Sequence, residues 1–187
     1  FTGSLYDAGV RFRDLLEDSV RLRLRADVPL GSCLSGGLDS SAIVCLARTL
    51  LEEGGDHKGQ VTVTARFADS SFDEWAFAAQ IVDRTQSRPV EVWPNIERLV
   101  AELDRQLWHM DEPVGSTSQF SQWCVFDGAA NAGLKVMLDG QGSDEQLAGY
   151  GGSDAAFYTG LLRRAALAQL GGEVLSFRRR HETFPLA

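Results

Sequence analysis

The feature that most constrains this chain is a regular alternation. Short apolar, β-branched runs are each followed by a stretch with helical spacing. Residues 30–34, 61–67, 89–93 and 134–138 read as buried strands, the second rich in Val and Thr. Between and around them, residues 5–25, 39–53, 72–85, 119–132 and 154–170 read as helices. A further helix carries Ile96, Leu99, Val100, Leu103 and Leu107 on one face, and in the first helix Phe12, Leu15, Leu16, Ser19 and Leu22 recur at the same period. Strands that alternate with helices pair in parallel through right-handed crossovers, so the expected fold is α/β, a doubly wound parallel sheet with helices on both faces. Ligands of such sheets bind beyond the carboxyl ends of the strands.

Two unusual turns fall at those ends. The first, Ser35-Gly36-Gly37-Leu38-Asp39-Ser40-Ser41, joins a strand directly to a helix. Paired glycines let backbone N–H groups approach a ligand, the serines add hydroxyls, and the helix presents its positive end, all of which suits phosphate. Asp39 fits such a place as a Mg²⁺ ligand beside phosphate oxygens. The alternative is an ordinary turn in which Asp39 or Ser40 caps the helix. The second turn, Asp139-Gly140-Gln141-Gly142-Ser143-Asp144-Glu145, follows the last strand. Taken alone it also reads as an acidic surface turn with Ser143 capping a helix. Taken with the first, Asp144 is expected to face Asp39 across the top of the sheet.

The bulk properties narrow the functional class. A net charge of −8 over 187 residues argues against nucleic acid or an anionic membrane surface as partner. No apolar run approaches the ~20 residues needed to span a bilayer. Cys33, Cys45 and Cys124 lack metal-ligand spacing and read as reduced thiols of a cytoplasmic protein. His57, His109 and His181 are scattered and unpromising as catalysts. Residues 1–187 read as one domain, truncated at both ends relative to a longer protein.

The first turn resembles the pyrophosphate loop of the N-type ATP pyrophosphatases, whose fold is adenine nucleotide α-hydrolase-like. Both turns together, with Arg23-Leu24-Arg25-Ala26-Asp27-Val28-Pro29, Asp111-Glu112-Pro113 and Ala148-Gly149-Tyr150, are similar to the asparagine synthase family over about residues 5–152. The resemblance implies an ATP-dependent, AMP-forming amide ligase. Leu34, Ser35, Gly36, Gly37, Leu38, Asp39, Ser40 and Ser41, with Val63, Ala65, Asp139 and Gly140, would hold the nucleotide. Asp39 and Asp144 would carry Mg²⁺, and Asp39, Asp144 and Gln141 would be the catalytic positions. Phe72-Asp73-Glu74 is similar to a family segment near the nucleotide strand, although a helix N-cap also accounts for Asp73.

Two departures bear on the substrate. Gln141 stands where asparagine synthetases carry a glutamate, and an amide cannot serve as a general base. Gly115-Ser116-Thr117-Ser118-Gln119 lacks the arginine that would fork onto an α-carboxylate. The implied partners are a small-molecule carboxylate acceptor and a glutaminase domain outside this chain, and a homodimer is one arrangement open to it. Two other readings are a β-lactam-synthetase-like enzyme with a different acceptor and a nucleotide-binding domain without turnover.

Overall fold

The computed structural model describes residues 2–55, 59–150 and 152–180; His57, Lys58 and His181 lie outside them. The chain falls into two compact units, one within 1–140 and one within 141–187.

The first unit is built on four strands: β1 (Leu30–Cys33), β2 (Val61–Ala65), β3 (Arg88–Val92) and β4 (Val136–Leu138). All neighbours are parallel and the order is β3-β2-β1-β4. The chain therefore winds outward from β1 to β3 and then returns to the other side of β1. That reversal makes the gap between the carboxyl ends of β1 and β4 the topological switch point of the sheet. Ser32 pairs with Leu138, so both strands end at the same level.

Five helices cover the two faces: α1 (Leu5–Arg23), α2 (Leu38–Glu53), α3 (Trp75–Thr85), α4 (Ile96–Met110) and α5 (Thr117–Asn131). Their starts follow local chemistry. Ser4 and Asp7 form a reciprocal capping box at α1, and Asn95 accepts the Arg98 N–H at 2.8 Å to open α4. On one face, Val63 and Val92 pack with Phe120, Cys124, Val125 and Ala129 of α5. On the other, Leu34 meets Val44 and Ala78 from α2 and α3, while Leu138 meets Val20 of α1 and Ala47 of α2.

Several expectations are corrected. The helix expected over 72–85 begins at Trp75, because Asp73 is engaged elsewhere; Glu74, not Asp73, is its N-cap. The single tail helix over 154–170 is instead two, α7 (Gly152–Arg163) and α8 (Leu167–Arg180), separated near Ala165, whose φ is +54°. A short helix, α6 (Ser143–Leu147), precedes them, and its N-cap is Gly142 at φ +92°, not Ser143. In the second unit Tyr158 and Leu161 of α7 supply the buried apolar side chains.

The buried stripes of α1 and α4 also differ from the reading of their periodicity. In α1 the packed ridge is Leu16, Val20 and Leu24, whereas Phe12, Leu15 and Leu22 are exposed. In α4 Leu99 packs inward, but Ile96 and Val100 are 63% and 72% exposed, and Gln106 is fully buried. The cause is a polar seam along α5. Arg98 bridges Glu102 at 2.6 Å and Asp127 at 2.7 Å, Trp123 donates its indole N–H to Glu102 at 2.7 Å, and Gln106 donates to the Gln119 carbonyl at 3.3 Å. Meeting these partners turns α4 about its axis and leaves Ile96, Val100 and Leu103 outside.

Candidate nucleotide site

The turn after β1 is held mainly by its own hydroxyls. Ser40, 8% exposed, accepts the Ser35 N–H at 3.2 Å, shares a hydrogen bond with the Ser35 hydroxyl at 3.0 Å, and faces the Gly37 carbonyl at 3.3 Å. The Ser35 hydroxyl accepts the Gly37 N–H at 3.1 Å. Gly37 is the N-cap of α2, so neither Asp39 nor Ser40 caps this helix; the Ser40 hydroxyl is spent on bracing the turn. Asp39 lies in the first turn of α2, half-buried, among N–H groups that have no acceptor within the helix.

Two close approaches explain the glycines. Gly36 has φ +91°, and a Cβ there would come within 2.8 Å of the Ala78 N and 2.9 Å of the Glu74 carbonyl in α3. A Cβ on Gly140 would sit 3.1 Å from the Ser40 N and 3.2 Å from the Asp39 Cβ. The backbone leaving β4 thus rests directly on the first turn of α2, and the two glycine-bearing turns begin side by side at the switch point.

Leu34 is fully buried behind the turn, its N–H donating to the Val63 carbonyl at 2.9 Å and its carbonyl accepting from the Thr64 hydroxyl at 2.7 Å. The Val63 side chain is buried against α5, so it offers a ligand no hydrocarbon surface; Ala65 is half-buried at the strand end. Leu38 is 85% exposed, and Ser41 donates its N–H to Gly37 within the helix. Asp139 is half-buried and accepts from Gln122 of α5 at 3.3 Å and from the Cys33 thiol. Burial, then the Asp139 charge, pushes Cys33 up from 9.0 to about 12, which keeps it a protonated donor. Gln122 was not legible as a site neighbour, since nothing in its own stretch marks it.

Gln141 and Asp144 belong to the second unit. Both are exposed; Asp144 lies in the first turn of α6 and accepts the Gly149 N–H on its backbone carbonyl at 3.0 Å. Its carboxylate occupies the place that a side chain on Gly149 would need, which accounts for glycine in Ala148-Gly149-Tyr150. Tyr150 donates its hydroxyl to Glu145 at 2.7 Å, and that bond draws Glu145 below its ordinary range.

The family model for asparagine synthase matches residues 11–184. The chain belongs to the asparagine synthase family. It is similar to asparagine synthetase [glutamine-hydrolyzing] 1 of Bacillus subtilis, 32% identical over 138 residues, covering 74% of this chain and 21% of that protein. A putative asparagine synthetase of Methanocaldococcus jannaschii is 33% identical over 74% of this chain and 26% of its own length. Amidase chyE of Penicillium rubens is 32% identical over 76% and 22%. The chain thus spans about a fifth to a quarter of these curated relatives. Among solved structures, an NH3-dependent NAD synthetase from Campylobacter jejuni superposes with a TM-score of 0.48 at 16% identity, covering 75% of this chain and 59% of that one.

As an asparagine synthase domain, the chain carries one feature its motifs did not announce. Arg66, at the end of β2, forks onto Asp73 with two hydrogen bonds of 3.0 Å and also bonds Glu91. Asp73 further accepts the Phe67 N–H at 3.3 Å. The Arg66 bonds, first among the causes, hold Asp73 below the usual carboxylate range.

Proposed function

We propose that this chain is the nucleotide-binding part of a ligase that activates a carboxylate with ATP and then forms an amide. The observation that carries the reading is the meeting of the two glycine-bearing turns at the switch point, with Gly140 against Asp39 and Ser40. Ligands of sheets with this strand order bind at that gap, and the first turn of α2 carries N–H groups suited to the β- and γ-phosphates.

The donor set of the turn suits Mg²⁺, because Asp39 stands among groups that favour phosphate and would otherwise face it with like charge. Asp39 is the carboxylate of the first unit proposed to hold the ion. Bound there, Mg²⁺ would neutralise charge on the departing pyrophosphate. The turn 35–41 would orient the triphosphate, with its amides aimed at oxygens whose charge grows as the α-phosphate is attacked. The strand end at Ala65 would flank the nucleoside, with Leu34 and Val63 buried behind it, and Asp139 and Gly140 would close on ribose or α-phosphate. The acceptor carboxylate attacks the α-phosphorus, the bond to the β-phosphate oxygen breaks, and pyrophosphate leaves. An amine then displaces AMP from the acyl-adenylate, losing a proton as the amide forms. Gln141 can offer hydrogen bonds to acceptor or amine, but it cannot take up that proton.

Ammonia from a glutaminase domain is the proposed nitrogen source. Proteins called asparagine synthetase and amidase match similar shares of this chain, 74% and 76%, so the proposal stops at a carboxylate as the acceptor's class.

The test is Mg²⁺-dependent ATP binding by the chain, measured by calorimetry. Asp39→Ala is expected to weaken it about tenfold or more, the scale of losing one charged ligand. Equal affinity for both proteins would remove the assignment. For the longer protein, pyrophosphate release from ATP is expected with one carboxylate of a screened set; release with none favours binding without turnover.

A further inference from the structure

One guanidinium in the first unit is enclosed in an unusual way. The Arg66 side chain is 15% exposed, bonds two carboxylates, and lies over two indoles, 4.6 Å from the Trp75 ring centre and 4.9 Å from that of Trp93. Its charge is matched by Asp73 and Glu91, and two aromatic rings lie against it. It is therefore not presented as a ligand contact, and its role must be sought in what it holds.

The partners come from three elements. Glu91 belongs to β3 and Trp93 follows it; Asp73 closes the loop after β2; Trp75 is the first residue of α3. The Arg66 N–H also donates to the Val92 carbonyl at 2.8 Å. Asp73, by accepting from both Arg66 and the Phe67 N–H, ties the loop into a ring. The residue after Asp73 is Glu74, whose carbonyl is the wall 2.9 Å from where a Gly36 Cβ would stand; Ala78, one turn on, supplies the other wall. A continuous path of contacts thus runs from β3 through Arg66 and the start of α3 to the backbone of the turn 35–41. Planarity is essential to it, since only a flat fork can bond a carboxylate bidentately while lying against aromatic rings.

We propose that Arg66 is a positioning residue for the turn 35–41: by forking onto Asp73 while lying over Trp75 and Trp93 it sets where the first turn of α3 lies, and so where Gly36 and the first turn of α2 present their N–H groups. The inference rests on the nucleotide reading above. It differs from simple stabilisation in predicting that affinity changes out of proportion to stability.

Arg98 supplies the control, because it also bridges two carboxylates, Glu102 and Asp127, but on the α4–α5 seam. Mg-ATP affinity by calorimetry and thermal stability are measured for the wild-type chain, Arg66→Met, Arg66→Lys, Asp73→Asn, Arg66→Met with Asp73→Asn, and Arg98→Met. Arg66→Met is expected to weaken Mg-ATP binding on the order of tenfold. Arg66→Lys should retain most of that defect, since a lysine has no fork. Asp73→Asn should resemble Arg66→Met, and the double variant should fall well short of the sum because both act through one link. Arg98→Met should bind within about twofold of wild type while losing comparable stability. Arg66→Met or Arg66→Lys binding like wild type overturns the inference, as does an equal loss in Arg98→Met. If Arg66→Met does not fold, Arg66→Lys and Asp73→Asn carry the same decision. Absence of Mg-ATP binding by the wild type removes the nucleotide reading and this inference with it, an outcome distinct from the others.

Discussion

The two faces of the sheet are built by different rules. Toward α5, Val63 and Val92 meet Phe120, Cys124, Val125 and Ala129 in a dry hydrocarbon layer. Toward α2 and α3, the same strands turn Ser32, Thr62 and Thr64 inward, all buried, with Gln60 and Ser87 beside them. These hydroxyls are hydrogen-bonded: Gln60 donates to Ser32 at 3.0 Å, and Thr64 donates to the Leu34 carbonyl at 2.7 Å. The first face resists changes in volume, whereas the second fixes backbone positions, because a hydrogen bond constrains direction and packing alone does not. The turn 35–41, proposed to hold the nucleotide, grows from the second face.

The comparison breaks most sharply at Phe120. Phe120→Ala is expected to cost about 3–5 kcal/mol in denaturant unfolding, from lost transfer energy and a residual cavity. A cost below about 1 kcal/mol would mean that the α5 layer is not the dominant core. Next comes Gly36→Ala, where φ of +91° and the nearby Ala78 N leave no room for a methyl group. About 1–3 kcal/mol of strain is expected there. Mg-ATP binding should be lost beyond what that destabilisation explains; an unaltered binding isotherm would separate Gly36 from the site.

Thr64→Val sharpens the contrast at nearly constant volume. It should cost about 1–2 kcal/mol, the price of a buried carbonyl left without its donor, and weaken Mg-ATP binding slightly through Leu34. A neutral result would show the polar face to be filler. The smallest effect concerns Cys33, which donates to Asp139 and whose folded-state value is raised from 9.0 to about 12. Below 9.0 the thiol is protonated in both states and its contribution is intact. As pH rises from there toward about 12, the unfolded chain gives up this proton more readily, so stability falls. Cys33→Ala should lack that part of the alkaline loss; parallel stability curves for the two proteins would count against the buried thiol–carboxylate contact.

Much of this architecture was legible in the residues. The four strands fall within three residues of their expected limits at each end, and the glycines of 35–41 marked a turn needing close backbone approach. The face each helix buries was not legible. The aliphatic ridge of α4 predicts that some surface should cover it, yet the buried side follows from Asp127, Trp123 and Gln119, which lie 13 to 29 residues further along the chain. The same holds for Arg66 and Glu91, 25 residues apart: neither stretch carries a local sign that the two will meet.

Local periodicity and turn chemistry, read from the chain alone, determined that strands and helices alternate and that two glycine-rich turns follow β1 and β4. Both properties depend on neighbours within a few residues, so they are written where they act. That β4 returns to the side of β1, bringing Gly140 onto Asp39 and Ser40, was decided only in three dimensions. Strand order is a choice among crossovers, settled by how whole layers bury one another, and no single stretch of residues encodes it.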